Sequence, residues 1–441
     1  IVFGDWSSDV CSSDLSYVSS VTSGADTTIV LYKDVNTATA SNRSFGFEAN
    51  NQATLASPIQ VSMVNGVGSQ TLRVRADYAL GTGLVTFNGN ANLDLGGGTG
   101  YTIGNDINVN GAAINIPVGT YTVDGVVTPR VSTIAGNLSG GGSIVKQTTS
   151  SDSGWLVLAG SNNTFTGPVS TNRGGIMFDG NFTGLGNVIT AAQYASSYIG
   201  GTGNVGMASG SYLRMASSSA DIYSHLIPGR DGVVGTLTVG TAGNSNVVRF
   251  ENRSRLLIDV AGTESDLLAI NGELKLDYTT NALYVLGALD AATDYTLATY
   301  TTLTGMFTEV YAGTTVADAL LVTPVDGKIL FGTTHELQYN ANSLDLVALA
   351  APAPHPGDTD NNGTVDVTDL GNLSTAYGTT SGATWLMGDF DGNGMVDVTD
   401  LGILSTEYGW VATPPTAGAV PEPATLALLS LGGLALIRRK R

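Results

Sequence analysis

This 441-residue chain has one cysteine, three histidines and little charge of either sign. The single thiol, Cys11, excludes any disulfide within the chain. His225, His335 and His355 sit in no catalytic or metal-ligand motif. His355 falls in a Pro/Ala stretch, and the other two are expected at the surface or filling a rung. Only 12 % of residues are charged, and lysine is scarce. Acids outnumber bases 37 to 18, and the net charge of −19 argues against nucleic acid, whose binding needs a basic face. No nucleophile elbow, phosphate loop or zinc motif occurs.

The residues that are plentiful point to β structure. Glycine supplies 58 residues, nearly double its usual share of about 7 %. With 42 % apolar residues the chain is not of the disordered class, and it is long enough for two or three domains. From about residue 80 to 350 apolar residues alternate with polar ones: Leu93/Leu95, Tyr101/Ile103, Ile107/Val109, Ile114/Ile116/Val118 and Tyr121/Val123, then Leu256/Ile258/Val260, Leu274/Leu276/Tyr278, Leu283/Val285, Leu337/Tyr339 and Leu344/Leu346. Period two places each set on one strand face. Gly, Asn and Asp separate the runs, and no long helical pattern interrupts them, which suits a β-solenoid or a β-sandwich. The segment 141–176 resembles the autotransporter-associated β-strand repeat in Gly141–Lys146, Trp155–Gly160, Asn162–Gly167 and Gly174–Ile176. That resemblance implies a right-handed parallel β-helix. The stretch 235–347 resembles the end of exported proteins that carry such repeats.

A 22-residue segment occurs twice: 357–378 reads GDTDNNGTVDVTDLGNLSTAYG, 388–409 reads GDFDGNGMVDVTDLGILSTEYG, and 17 positions are identical. Each copy holds a twelve-residue loop with the ligand spacing of an EF-hand. The side-chain ligands would be Asp358, Asp360, Asn362, Asp366 and Asp369 in the first loop, with the carbonyl of Thr364 and the turn at Gly363. In the second they would be Asp389, Asp391, Asn393, Asp397 and Asp400, with the carbonyl of Met395 and the turn at Gly394. A hard cation taking six to eight oxygens suits such a loop, whose four carboxylates would otherwise repel one another. Two Ca2+ ions would bring the net charge from −19 to −15. Asp369 and Asp400 replace the usual bidentate Glu at position 12.

Helical spacing comes after each loop, in Leu370/Leu373/Tyr377 and Leu401/Leu404/Tyr408, and each copy stops at a glycine, Gly378 or Gly409. Loop–helix twice in residues 357–409 resembles the dockerin domain. The resemblance implies two calcium ions, folding coupled to metal, and a cohesin-like partner. The pair at loop positions 10 and 11 is Val367-Thr368 and Val398-Thr399, a departure from the Ser-Thr type of cellulosomal dockerins that leaves an intramolecular or cell-surface role open.

At the C-terminus Pro421-Glu422-Pro423 precedes the uncharged run 424–437 and then Arg438, Arg439, Lys440 and Arg441. This order resembles the PEP-CTERM sorting signal. It implies export, a transient membrane anchor and cleavage by an exosortase near Pro421–Pro423. As a helix the uncharged run would span about 21 Å, short of a bilayer core of about 30 Å. The basic end would stay in the cytoplasm.

The expected fold is therefore mainly β: a parallel β-solenoid, a small α domain with two EF-hand-like calcium loops, and a C-terminal hydrophobic helix. The expected segments are 1–15, which fits neither a secretion signal nor the strand pattern of the neighbouring region and is treated as non-native or disordered; 16–350, the β-helix region; 351–356, a linker; 357–409, the calcium domain; 410–420, a second linker; and 421–441, the sorting segment. No catalytic constellation emerges. Lys275 and Asp277 share a strand face, and nothing in the sequence sets the separation of Asp259, Glu264 and Asp266. The expected function is that of an exported cell-surface or extracellular structural or adhesive protein facing an extracellular polysaccharide. The alternative is a secreted carbohydrate-active enzyme, a polysaccharide lyase or glycosidase.

Overall fold

The computed structural model describes residues 70–349 and 354–411, apart from 112, 124–125, 147–152, 194 and 231, and before them short stretches such as Arg43–Phe47 and Ile59–Ser62. The sorting segment with its expected hydrophobic helix lies outside the described residues, as do nearly all of 1–15, half of the linker 351–356 and most of the linker 410–420. The chain divides into two compact units, Ile1–Ala350 and Ala351–Arg441.

The first unit is a β-solenoid of about nine turns. One wall is a parallel stack whose strands run Val131–Ile134, Trp155–Leu158, Gly174–Phe178, Ser197–Gly201, Ser224–Pro228, Ser254–Gly262, Asn281–Leu289 and Glu309–Gly313. A second wall holds Asn181–Leu185, Asn204–Met207, Thr236–Val239 and Leu267–Ile270, and a third runs from Ser16–Val18 to Thr302–Gly305. Most of these strands are only three to five residues long, too short to bury a face alone. Stacking solves that: the register places Leu156, Ile176, Ile199, Leu226, Leu256, Leu283 and Val310 in one inward column, each at most 3 % exposed.

Corners are held by buried asparagines. Asn281 is fully buried; its Nδ2 donates to the carbonyls of Leu276 (3.0 Å), Tyr278 (3.2 Å) and Phe250 (3.4 Å), while its Oδ1 accepts from Thr308 N (2.9 Å). Asn163 accepts from Leu138 N and donates to Asn181 O. In the same corner Phe165 is fully buried, and a Cβ on Gly167 would lie 1.5 Å from Gly142 O, so only glycine fits.

Two expectations need correction. Tyr121 and Val123 do not line the core: Thr120–Val123 pairs with Val126–Pro129 in an antiparallel hairpin, and Val123 is 52 % exposed. Alternation alone does not distinguish a coil strand from a projecting hairpin. The coil also stops short of residue 350. Tyr295–Thr299 pairs antiparallel with Ser343–Ala348, which pairs with His335–Tyr339, which pairs with Ile329–Phe331. Leu337, Leu344 and Leu346 are buried there as a cap over an otherwise open strand edge.

Asp266 is wholly buried at the base of the antiparallel pair formed by Ser254–Gly262 and Glu264–Ser265. Its Oδ1 accepts from Gly235 N (2.7 Å) and its Oδ2 from Asp259 N (3.0 Å). Burial outweighs these bonds and, with the nearby Asp259 charge, pushes its carboxyl up to about 8. A folded-state value raised above the unfolded one of about 3.9 gives stability that is complete below pH ~4 and is lost as pH rises through about 8. Asp266→Asn, whatever its constant offset, should therefore gain on the parent by up to a few kcal/mol between pH ~4 and ~8. Thermal melts across that range check it; parallel curves would refute the assignment.

Candidate metal-binding site

The second unit has two ten-residue helices, α1 (Val367–Ala376) and α2 (Val398–Glu407), each preceded by one of the acidic loops. Each helix starts on a capping box. Asp366 Oδ1 accepts from Thr368 N (2.7 Å) while Asp369 Oδ2 accepts from Asp366 N (2.8 Å); Asp397 and Asp400 repeat this at 2.7 and 2.9 Å. Each helix ends before a glycine of positive φ, Gly378 (89°) or Gly409 (88°). The core between them is Val365, Leu373, Phe390, Val396 and Leu404.

Three carboxylates of each loop converge. Oxygens of Asp358, Asp360 and Asp369 lie within 4.8 Å of one another, as do those of Asp389, Asp391 and Asp400. Asp358, Asp369, Asp389 and Asp400 are buried, and Asp360 and Asp391 face solvent. Backbone donors set the loop shape: Asn362 N and Gly363 N reach Asp358 at 3.2 and 2.9 Å, and Asn393 N and Gly394 N reach Asp389 at 3.1 and 2.8 Å. Asn362 Oδ1 accepts from Thr364 N, and Asn393 Oδ1 from Met395 N, so each loop turns on its own asparagine. Gly363 (φ 84°) and Gly394 (φ 80°) supply the left-handed turn.

Asp369 carries two duties. Its Oδ1 accepts from Thr359 N and Thr359 Oγ1 (both 2.8 Å), and its Oδ2 closes the capping box. Burial works against its charge, but the donors from Asp366, Thr359 and Asp360 hold its carboxyl below the usual range. Asp366 and Asp397 stand outside the carboxylate trios as helix caps; an EF-hand residue at this place commonly reaches its ion through water. The all-oxygen donor set, with buried acids and fixed loop amides, fits a hard divalent cation. Asp358, Asp360, Asn362 and Asp369, with the Thr364 carbonyl, would hold one ion. Asp389, Asp391, Asn393 and Asp400, with the Met395 carbonyl, would hold the other.

The halves interlock. Val365 N donates to Trp410 O (2.9 Å) and Gly409 N to Val365 O (2.8 Å); Val396 N donates to Thr379 O (3.0 Å) and Gly378 N to Val396 O (2.9 Å). Each loop thus pairs with the segment just beyond the other helix. The ends are tied as well: His355 stacks on Trp410 (3.6 Å, 4°) and meets Glu407 at 2.9 Å, and Trp385 Nε1 donates to Asp358 O (2.8 Å). The capping boxes are legible as Asp-x-x-Asp, whereas nothing in the sequence marks the His355–Glu407 tie.

Elsewhere His335 is buried with both nitrogens paired, to Thr334 Oγ1 and Thr293 O (2.9 Å each), and Lys275 pairs with Asp277 at 3.4 Å. Among the described residues no helix is long and apolar enough to cross a membrane. Residues 419–441 match a family model described as the PEP-CTERM protein-sorting motif. The chain carries the tail of an exported bacterial protein. PEP-CTERM signals are processed by an exosortase and sort their carriers to the cell surface. No curated protein matches the chain.

Proposed function

We propose that this protein is a surface structural or adhesive protein: a β-solenoid body that faces an extracellular polysaccharide, and a calcium-stabilised C-terminal module that docks or stiffens. The observation that carries the calcium reading is the convergence of three carboxylates in each of two near-identical loops, two of every three buried. A dockerin-like role is supported by exposed apolar residues repeated on both helices. Val367 and Val398, the first helical residues, are 68 % and 69 % exposed, and Tyr377 and Tyr408 are 51 % and 53 % exposed. A cohesin-like domain would meet these exposed residues. The solenoid acts as a scaffold and not as an enzyme; both oxygens of Asp266 are taken by backbone amides, which suits a structural pin.

Calorimetric titration of Ca2+ into the chelator-treated protein tests the module. Two sites with affinity of about 10⁻⁴ M or tighter and a gain of helix are expected, as for extracellular calcium modules. No heat and no change in helicity at millimolar calcium would remove the calcium reading, and docking with it.

A further inference from the structure

On the first wall, the outward side chains of successive rungs form a stack. Trp155, Gly175, Tyr198, His225 and Arg255 share one register column. The Trp155 ring lies over Gly175, where a Cβ would come within 2.1 Å of it. Trp155 thereby reaches Tyr198 (centroids 5.1 Å apart, 38°), and Tyr198 stacks on His225 (4.6 Å, 13°). The Arg255 guanidinium covers Tyr223 at 3.3 Å and Tyr284 at 4.9 Å. Beside this column Ile227, Leu257 and Leu286 form a buried apolar floor outside the solenoid core. The loop after Glu309–Gly313 folds against the floor through Val316. Asp318 pins that loop by accepting from Thr314 N (2.9 Å) and Thr315 N (2.7 Å).

Between them lies a cavity of about 540 Å³, lined by Trp155, Tyr198, His225, Leu257, Asp259 and Thr315 among others. That is within the range of small-molecule sites, about 300–1,000 Å³. His225 is 4 % exposed, and its Nδ1 has no hydrogen-bond partner, unlike either nitrogen of His335. A buried polar atom left without a partner is costly, and a ligand that supplies one recovers that cost. Burial, helped by the Arg255 charge, pushes the imidazole down to about 3, so it is neutral. Nδ1 of a neutral imidazole is a donor or an acceptor according to tautomer, and a hydroxyl can answer either. Asp259, on the opposite side, accepts from Gly232 N (2.7 Å) and sets a negative charge at the rim. Its carboxylate disfavours an anion in the cavity, and Arg255 beside His225 disfavours a cation.

We propose that this cavity is a subsite for a neutral pyranose unit of an extracellular glycan. The apolar face of the sugar would rest on Trp155, Tyr198 and the Leu257 floor, with its hydroxyls toward Asp259 and His225. The proposal rests on the adhesive reading of the solenoid and is independent of the calcium module. The test is calorimetry of the full chain with cellotetraose, mannotetraose and maltotetraose, with trigalacturonate as the anionic comparison. At least one neutral tetraose binds, and Trp155→Ala and the near-isosteric Asp259→Asn, each melting at the parent temperature, weaken it by about tenfold or more. Binding of trigalacturonate alone, or no binding of any neutral tetraose, overturns the subsite. Parent affinity in both variants overturns it too while leaving glycan adhesion standing at another face. Failure of the chain to bind isolated matrix polysaccharide would take the adhesive reading down as well.

Discussion

Asp358→Ala should abolish calcium binding in the first loop and weaken the second by about tenfold, and chelation of the parent should unfold the module. The first effect stems from the loss of one converging carboxylate. The second stems from the crossed backbone bonds: Val365, in the first loop, is held by Gly409 and Trp410 beyond α2, while Val396, in the second, is held by Gly378 and Thr379 beyond α1. Loosening the first loop frees the end of α2 and, through the shared core of Val365, Leu373, Phe390, Val396 and Leu404, the second loop. A coupling of about 1.4 kcal/mol corresponds to the tenfold change. Chelation acts more severely. Carboxylate oxygens within 4.8 Å of one another repel by about 3 kcal/mol or more per pair at an effective dielectric of about 20. Ten-residue helices have little stability of their own. Circular dichroism and calorimetry on the parent, Asp358→Ala and Asp389→Ala would read both effects. Independent sites, or a chelated module that keeps its helices, would contradict the coupling.

Asn281→Ala should destabilise the solenoid by about 3–5 kcal/mol. The side chain is wholly buried and serves the carbonyls of Leu276, Tyr278 and Phe250 as well as Thr308 N. Alanine leaves these groups without partner or water, at about 1–3 kcal/mol for each one stranded, and opens a small void. Denaturant unfolding of the first unit is the measurement. A loss below about 1 kcal/mol would mean that the corner is held by the neighbouring rungs instead.

The solenoid was legible where one face of a strand alternates cleanly. Leu256/Ile258 and Leu274/Leu276 announce the walls because these side chains all point inward and are buried. The convergence of the loop carboxylates was legible because the residues that meet are close in sequence: Asp358, Asp360 and Asp369 span a single loop. The features that escaped depend on register between distant rungs. Trp155, Tyr198 and His225 are 43 and 27 residues apart along the chain and adjacent only because parallel pairing aligns them. The antiparallel cap escaped for a related reason, since Leu344/Leu346 alternates in the same way whether its neighbour runs parallel or antiparallel.

The crossed pairing in the C-terminal module also bears on how the duplicated segment came to be useful. One copy alone would offer Val365 with no strand to meet it and a glycine end with nothing to clasp. A chain bearing a single copy would have to find its complement in another molecule and so would exist as a swapped homodimer. Joining two copies in tandem turns that encounter between molecules into one within a chain, at an effective concentration no dilution can lower.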